Sequence, residues 1–232
     1  MHTYSGRLTY LLAILFLVGL LTGCSHGVFD NPRPFEPEVA ETNVQTSAEP
    51  IATTPAATDT QSALRHKPTP PPADVWQRIR QGYRLGAVEN PRIDSAIRWF
   101  TANDGVIRKS SERATPLIHH IVEQVEQLGL PTELTLIPLL ETGFRVHARS
   151  PYGALGPWQF MPATGRQYGL MRTAYLDQRR DLVLSTKAAL NYLSDLHAQF
   201  EGDWLLAIAA YNGGPGNVKK ALQGKRLSFW EI

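Results

Sequence analysis

From Val75 to the end of the chain, no segment alternates apolar and polar residues with period two over any length. Apolar residues recur instead at the three- and four-residue spacing of an α-helix. Val75, Ile79 and Leu85 fall near one face, and Ile93, Ile97 and Phe100 make a second short stripe. Leu117, Ile118, Ile121, Val122, Val125 and Leu128 keep the period best. Thr115 and Pro116 read as the N-cap and first-turn proline of that helix, and Gly129 as its end. Pro131-Thr132 opens a further helix through Leu134, Ile137 and Leu140, which Pro138 is expected to kink. Ala189, Leu193, Leu196 and Phe200 form one more stripe, and Trp204, Ala207, Ile208 and Tyr211 another. The expected fold class is all-α.

A core must hold these helices together, because Cys24 is the only cysteine among the 232 residues. It can neither staple the fold nor complete a metal site. It closes a segment built like a bacterial signal peptide. Arg7 gives the positive region, Leu8 to Leu20 the apolar run, and Thr22-Gly23 the small residues before a cut. A membrane-spanning helix needs about 20 apolar residues, and this run is shorter. Leu21-Thr22-Gly23-Cys24 resembles a lipobox, which implies that Cys24 is lipidated and becomes the mature N-terminus. Ser25 follows, where an aspartate would signal inner-membrane retention, so the resemblance implies the periplasmic face of the outer membrane.

Between about Asn31 and Ala73, proline, threonine, alanine and glutamate dominate, and large apolar residues are scarce. Such a stretch buries too little surface to offset its conformational entropy. It reads as a disordered tether, stiffened at Pro70-Pro71-Pro72. The expected organisation is a signal peptide over 1–23, a lipidated tether over 24–74, a helical extension over 75–110 and the main domain over 111–232. Loss of Arg7 with the signal peptide takes the formal charge from +2 to +1. A nearly neutral chain has no strong field for nucleic acid, so none is expected as a partner.

The chemistry concentrates between Leu139 and Gly165. Glu141 ends the apolar run Ile137 to Leu140, and Phe144, Trp158 and Phe160 follow. A carboxyl among such groups is desolvated, which favours its neutral form. An unperturbed glutamate is only about 0.2% protonated at pH 7, whereas a pKa near 6 makes that roughly a tenth. The plain alternative for Glu141 is a helix-end carboxylate facing solvent. The Gly/Pro-punctuated loop from Arg149 to Pro162 carries Ser150, Tyr152, Trp158 and Gln159, a mixture of rings with hydroxyl and amide groups that suits a sugar. The plain alternative for the loop is a crossover packed by its own tryptophan.

Three motifs in register resemble the lytic murein transglycosylases with the lysozyme-like soluble-transglycosylase (SLT) domain. They are Glu141-Thr142, then Gly153-Ala-Leu-Gly156-Pro-Trp-Gln159-Phe-Met-Pro162-Ala-Thr164-Gly165, then Ala210-Tyr211-Asn212-Gly213-Gly214. Tyr168-Gly169-Leu170, Asp177-Gln-Arg179-Arg-Asp181 and the segment from Trp76 to Phe100 look like the transglycosylase D branch of that family. The resemblance covers about residues 75–230 and implies a lysozyme-like helical domain. It implies that Glu141 is the single catalytic acid and base. Ser150, Gln159 and Met161 would line the site near the scissile sugar, with Tyr211 facing the glutamate and Asn212 beside it.

The substrate implied is the peptidoglycan glycan strand, cut between N-acetylmuramic acid and N-acetylglucosamine to leave a 1,6-anhydromuramoyl end, with no metal or cofactor. Glu133, Asp177, Asp181 and Glu201 are other acids that the fold could bring across the cleft. Such a partner would favour hydrolysis by water. Thr142 replaces the family's serine, and Pro157 stands where leucine is common. The family continues past Ile232 into a further helix and LysM repeats, so the domain is expected to be truncated here. A non-catalytic glycan-binding or assembly lipoprotein, derived from the family by truncation, is the alternative function.

Overall fold

The computed structural model describes residues 74–231, apart from 87, 88, 226 and 228. The signal segment, Cys24 and the Pro/Thr/Ala-rich tether therefore lie outside the described residues. Among the described residues nine α-helices follow one another: α1 (Val75–Gln81), α2 (Pro91–Ala102), α3 (Asp104–Ala114), α4 (Ile118–Gln127), α5 (Ile137–Thr142), α6 (Pro162–Gln167), α7 (Leu182–Gln199), α8 (Trp204–Gly213) and α9 (Pro215–Leu222). Short 3₁₀ turns form at Thr132–Leu136, Gln178–Arg180 and Phe229–Glu231. Among the described residues, β-pairing is limited to isolated bridges, so the all-α class holds.

α8 is apolar on every face, and Leu206 to Ala210 are all buried. A helix without a polar side belongs in the middle of a core. α7 packs against it with Ala189, Leu190, Leu193 and Leu196, and also against α4. α4 turns Ile118, Ile121, Val122 and Val125 inward. Each of these large side chains contributes roughly 2 kcal/mol by leaving water. Side-chain caps start α7 and α8: Asp181 accepts from the Leu184 N–H at 2.8 Å, and Asp203 from those of Leu205 and Leu206.

Several local expectations change. Thr115 does not cap α4. It closes α3, donating its hydroxyl to the Ser111 carbonyl one turn back. α3 itself was not legible, because its face offers little beyond Ala114 and Ser110 to a core. Gly129 does end α4. At φ +64° it donates its N–H to Glu126 while Leu130 donates to Val125, which together satisfy the last carbonyls of the helix. Pro138 does not kink one long helix. The chain makes a 3₁₀ turn through Leu136, and α5 starts afresh with Pro138 in its first turn, where the missing N–H has no partner to lose.

Glu133 joins the N-terminal helices to the rest. It is fully buried, and its Oε1 accepts the backbone N–H groups of Arg84 and Leu85 at 2.6 and 2.7 Å. Thr132 beside it donates its hydroxyl to the Ile79 carbonyl at 2.6 Å. Glu133→Ala strands two partly buried N–H groups and is expected to cost about 2 kcal/mol. Hydrogen exchange at Arg84 and Leu85 should then accelerate; unchanged exchange at both amides would show that this carboxylate does not hold the segment.

Candidate active site

α5 delivers Glu141 on its last turn and then stops abruptly. Gly143 (φ +57°) and Phe144 (φ +62°) are both left-handed, and their N–H groups bond back to Leu139 and Pro138. The bulky Phe144 holds this conformation because its ring is buried and the neighbouring chain is clamped. Arg113 of α3 donates to the Gly143 carbonyl at 2.6 Å. A Cβ at Gly143 would come within 2.8 Å of both Arg113 and Ser110. The polar helix that the sequence hid is therefore the one that fixes the end of α5.

Glu141 retains some surface, yet its carboxyl is desolvated by the side chains around it. Burial lifts its pKa from 4.5 to about 7, with no contribution from another carboxylate among the described residues. The four acids that could have paired with it are placed elsewhere. Glu133 holds the N-terminal segment, Asp177 is paired with Arg179, Asp181 caps α7, and Glu201 lies in the turn after α7.

The loop from Arg149 to Pro162 folds into a tight double turn. Leu155 pairs with both Arg149 and Phe160, and Gly156 donates its N–H to Ala148. Arg179, buried at 5% exposure, stitches the loop from beneath. Its guanidinium donates to the Gly153 and Phe160 carbonyls, both at 2.8 Å, and its other edge is held by Asp177. Gly156 (φ +84°) lies so close to this strut that a Cβ would sit 1.8 Å from the Arg179 carbonyl oxygen. In the sequence Arg179 stands only within a segment that flanks the motifs. The Asp-x-Arg spacing was its one local signal, since it permits the pair to close within a single turn.

The structure sorts the expected site residues into distinct places. Trp158 is fully buried and donates its indole N–H to Thr186 of α7 at 3.0 Å, so it is a core anchor and offers no face to a sugar. Tyr152, at 76% exposure, stands on the outer rim. Gln159 takes a left-handed turn (φ +48°), and its amide nitrogen donates to the Ala148 and Gly156 carbonyls. Only its carbonyl oxygen is left to accept from a ligand. Ser150 accepts from the Ala154 N–H at 3.0 Å, leaving its hydroxyl proton to donate. Met161 is exposed directly before α6. Thr142 is buried, with its hydroxyl on the Pro138 carbonyl.

Tyr211 of α8 bridges the two halves. Its hydroxyl donates to the Trp158 carbonyl at 2.7 Å. Burial first, then the nearby charges of Glu141 and Tyr192, hold its pKa well above the ordinary tyrosine value. The helix, the loop and the acid thus meet at one point. Asn212 is half-buried beside it. Tyr192, which sequence analysis passed over, lies between Tyr168 and Tyr211 with ring centroids 4.9 and 5.4 Å away. These three half-buried rings form a row along α7 that Phe160 extends from the loop, 6.4 Å from Tyr211. The signal for Tyr192 was faint: it flanks the Ala189–Leu193 stripe without being part of it.

Glu141 carries a stability cost that depends on pH. Below about 4.5 its carboxyl is neutral in folded and unfolded chains, and no penalty exists. Between 4.5 and 7 the unfolded chain ionises first, and above 7 the folded chain must hold a desolvated charge. The loss reaches up to about 3 kcal/mol. Glu141→Gln is expected to match the parent at pH 4 and exceed it by up to that amount at pH 8 in urea unfolding. Equal stability at pH 8 would mean that the carboxyl is well solvated.

Comparison with known proteins bears on the same residues. Residues 121–228 match the family model described as the transglycosylase SLT domain. The membrane-bound lytic murein transglycosylase D of Escherichia coli K12 is 41% identical over 167 residues, covering 70% of this chain and 37% of that protein. The protein of that name from Escherichia coli O6:H1 matches to the same extent. The peptidoglycan transglycosylase gp16 of Escherichia phage T7 is 39% identical over 79 residues, 34% of this chain and 6% of its own length. The chain therefore spans little more than a third of the length of the two Escherichia coli relatives. Glu141, the loop from Arg149 to Pro162 and Tyr211 all fall inside residues 121–228, the span that is similar to the transglycosylase SLT domain.

Proposed function

We propose that the domain is a peptidoglycan lytic transglycosylase, with Glu141 as its sole catalytic acid and base. The observation that carries this reading is that burial raises the Glu141 carboxyl to about 7, with no second carboxylate among the described residues contributing to its environment. At neutral pH such a group is present in both forms, as an acid that later acts as a base requires. The proton of Glu141 passes to the glycosidic oxygen between N-acetylmuramic acid and N-acetylglucosamine, and the bond to C1 breaks. The 2-acetamido group of the substrate stabilises the oxocarbenium-like carbon. Glu141, now a carboxylate, takes the proton of the muramoyl 6-hydroxyl. That oxygen bonds to C1 and closes the 1,6-anhydro ring. No water is consumed, and Glu141 ends the cycle protonated as it began.

Ser150, Gln159, Met161, Tyr211 and Asn212 are the residues that meet the sugar in this reading. Their free hydrogen-bonding capacity supports complementary parts: the Ser150 hydroxyl donates and the Gln159 carbonyl accepts. The Tyr168–Tyr192–Tyr211 row supplies half-buried rings for the flat faces of the glycan. Tyr211 acts on the acid through position. With its proton engaged by Trp158, it presents a hydroxyl oxygen and a ring to the cleft, and it does not compete for the Glu141 proton. The same reading tethers the domain to the periplasmic face of the outer membrane through a lipidated Cys24, in keeping with relatives named as membrane-bound.

The test is incubation of the full chain with purified sacculi and mass analysis of the products. Anhydromuropeptides are expected, 18 Da lighter than the corresponding hydrolysis products because no water is added. Glu141→Gln should reduce their formation by three orders of magnitude or more. The rate should fall as pH rises through about 7, the value at which Glu141 loses its proton. Water-added products would mean hydrolysis on this scaffold. Glycan binding without any cleavage would mean the non-catalytic alternative.

A further inference from the structure

Beside the loop lies an open cavity of about 390 Å³ with a chemistry that the cleavage mechanism does not use. It starts at Pro162, one residue after Met161, and Arg166, Arg172 and Arg179 face it with no acid among the lining residues. Their guanidinium groups differ in availability. Arg179 is fully engaged by Asp177 and the loop carbonyls. Arg172 is exposed and reaches Asp177 only at 3.8 Å, sharing a carboxylate already held by Arg179. Arg166 is exposed, and its side chain has no hydrogen bond or ion pair among the described residues. Thr173 adds a donor: its Oγ1 accepts from the Tyr175 and Leu176 N–H groups, which leaves its own proton for a ligand. Leu170 and the exposed Met171 supply an apolar side.

We propose that this cavity is a subsite for an acidic peptide branch carried by the glycan, an inference that rests on the peptidoglycan reading above. Two arginines and a hydroxyl suit carboxylates, and the Leu170–Met171 side suits small apolar residues such as alanine. The muramoyl stem peptide has both. The position fits as well. Arg166 lies five residues past Met161 along α6, about 7.5 Å of helix rise, whereas an extended peptide of three residues spans about 10 Å. A sugar held at the loop can therefore place its peptide over α6. The site would select peptide-bearing strands by electrostatics while the cleft holds the sugars.

Carboxylate could also come from the lactyl group of a bare muramoyl sugar, and the experiment separates the two sources. Glycan strands with intact stem peptides are compared with the same strands stripped by an amidase, which leaves the lactyl carboxylate free. Binding is measured with the full chain carrying Glu141→Gln, so that no strand is cut. Adding Arg166→Ala is expected to weaken binding of peptide-bearing strands about tenfold and leave stripped strands unchanged. Arg172→Ala should act in the same direction, and Arg166→Lys should restore part of the loss. Equal weakening on both strands, weakening on stripped strands alone, or none on either overturns the proposal. The Arg166 side chain has no partner within the described residues to lose, and an unchanged melting temperature for Arg166→Ala checks the fold. Because the readout is binding, it judges the subsite even if the parent chain cuts neither strand, an outcome that would count against the transglycosylase reading separately.

Discussion

The Arg179 carbonyl oxygen lies 1.8 Å from where a Cβ on Gly156 would sit, and the site loop hangs on that approach. Only glycine lets two backbone segments come this close at a left-handed φ of +84°. Once they do, the Arg179 side chain passes under the loop and holds the carbonyls of Gly153 and Phe160. Buried carbonyls without a donor are costly. The same guanidinium is oriented by Asp177, so one ion pair and one glycine shape the loop. Trp158 then faces inward to Thr186, and its carbonyl is available to Tyr211.

The end of α5 depends on a separate clamp that serves the same point. Two consecutive left-handed residues after a helix are unfavourable for a phenylalanine. Arg113 from α3 and the buried ring of Phe144 offset that strain. The result is that Glu141 lies close enough to Tyr211 of α8 for its charge to be felt there, in surroundings where its ionised form is poorly solvated. A carboxyl in that position weakens the fold at neutral pH and gains the ability to give and take a proton there. Stability and the proposed chemistry oppose each other at this side chain.

Several features were legible in the chain before any coordinates. The helical periodicity of α4 and α7 marked the core correctly, because burial of one face needs apolar residues at helical spacing. Gly129 marked a real helix end. The position of Glu141 after Ile137–Leu140 already implied desolvation. Other features were not legible. α3 has too thin an apolar face to register as periodic. Thr115 and Pro116 look like a helix start, although the hydroxyl turns back to the preceding helix instead. Trp158 resembles a sugar platform in a Gly/Pro-rich loop, and nothing local reveals that its ring faces α7.

The amino-acid order by itself determined an all-helical chain, the apolar surroundings of one glutamate and the family its motifs resemble. These are properties of spacing and composition over a few turns. Only the tertiary structure decided that Glu141 has no carboxylate partner among the described residues, that Trp158 is core and Tyr192 lines the row, and that Arg179 is a strut while the Arg166 side chain has no partner among the same residues. Each of those depends on which segments approach across tens of residues. The interaction of two groups falls steeply with distance and with the water between them, and neither quantity is written in the spacing of residues along the chain.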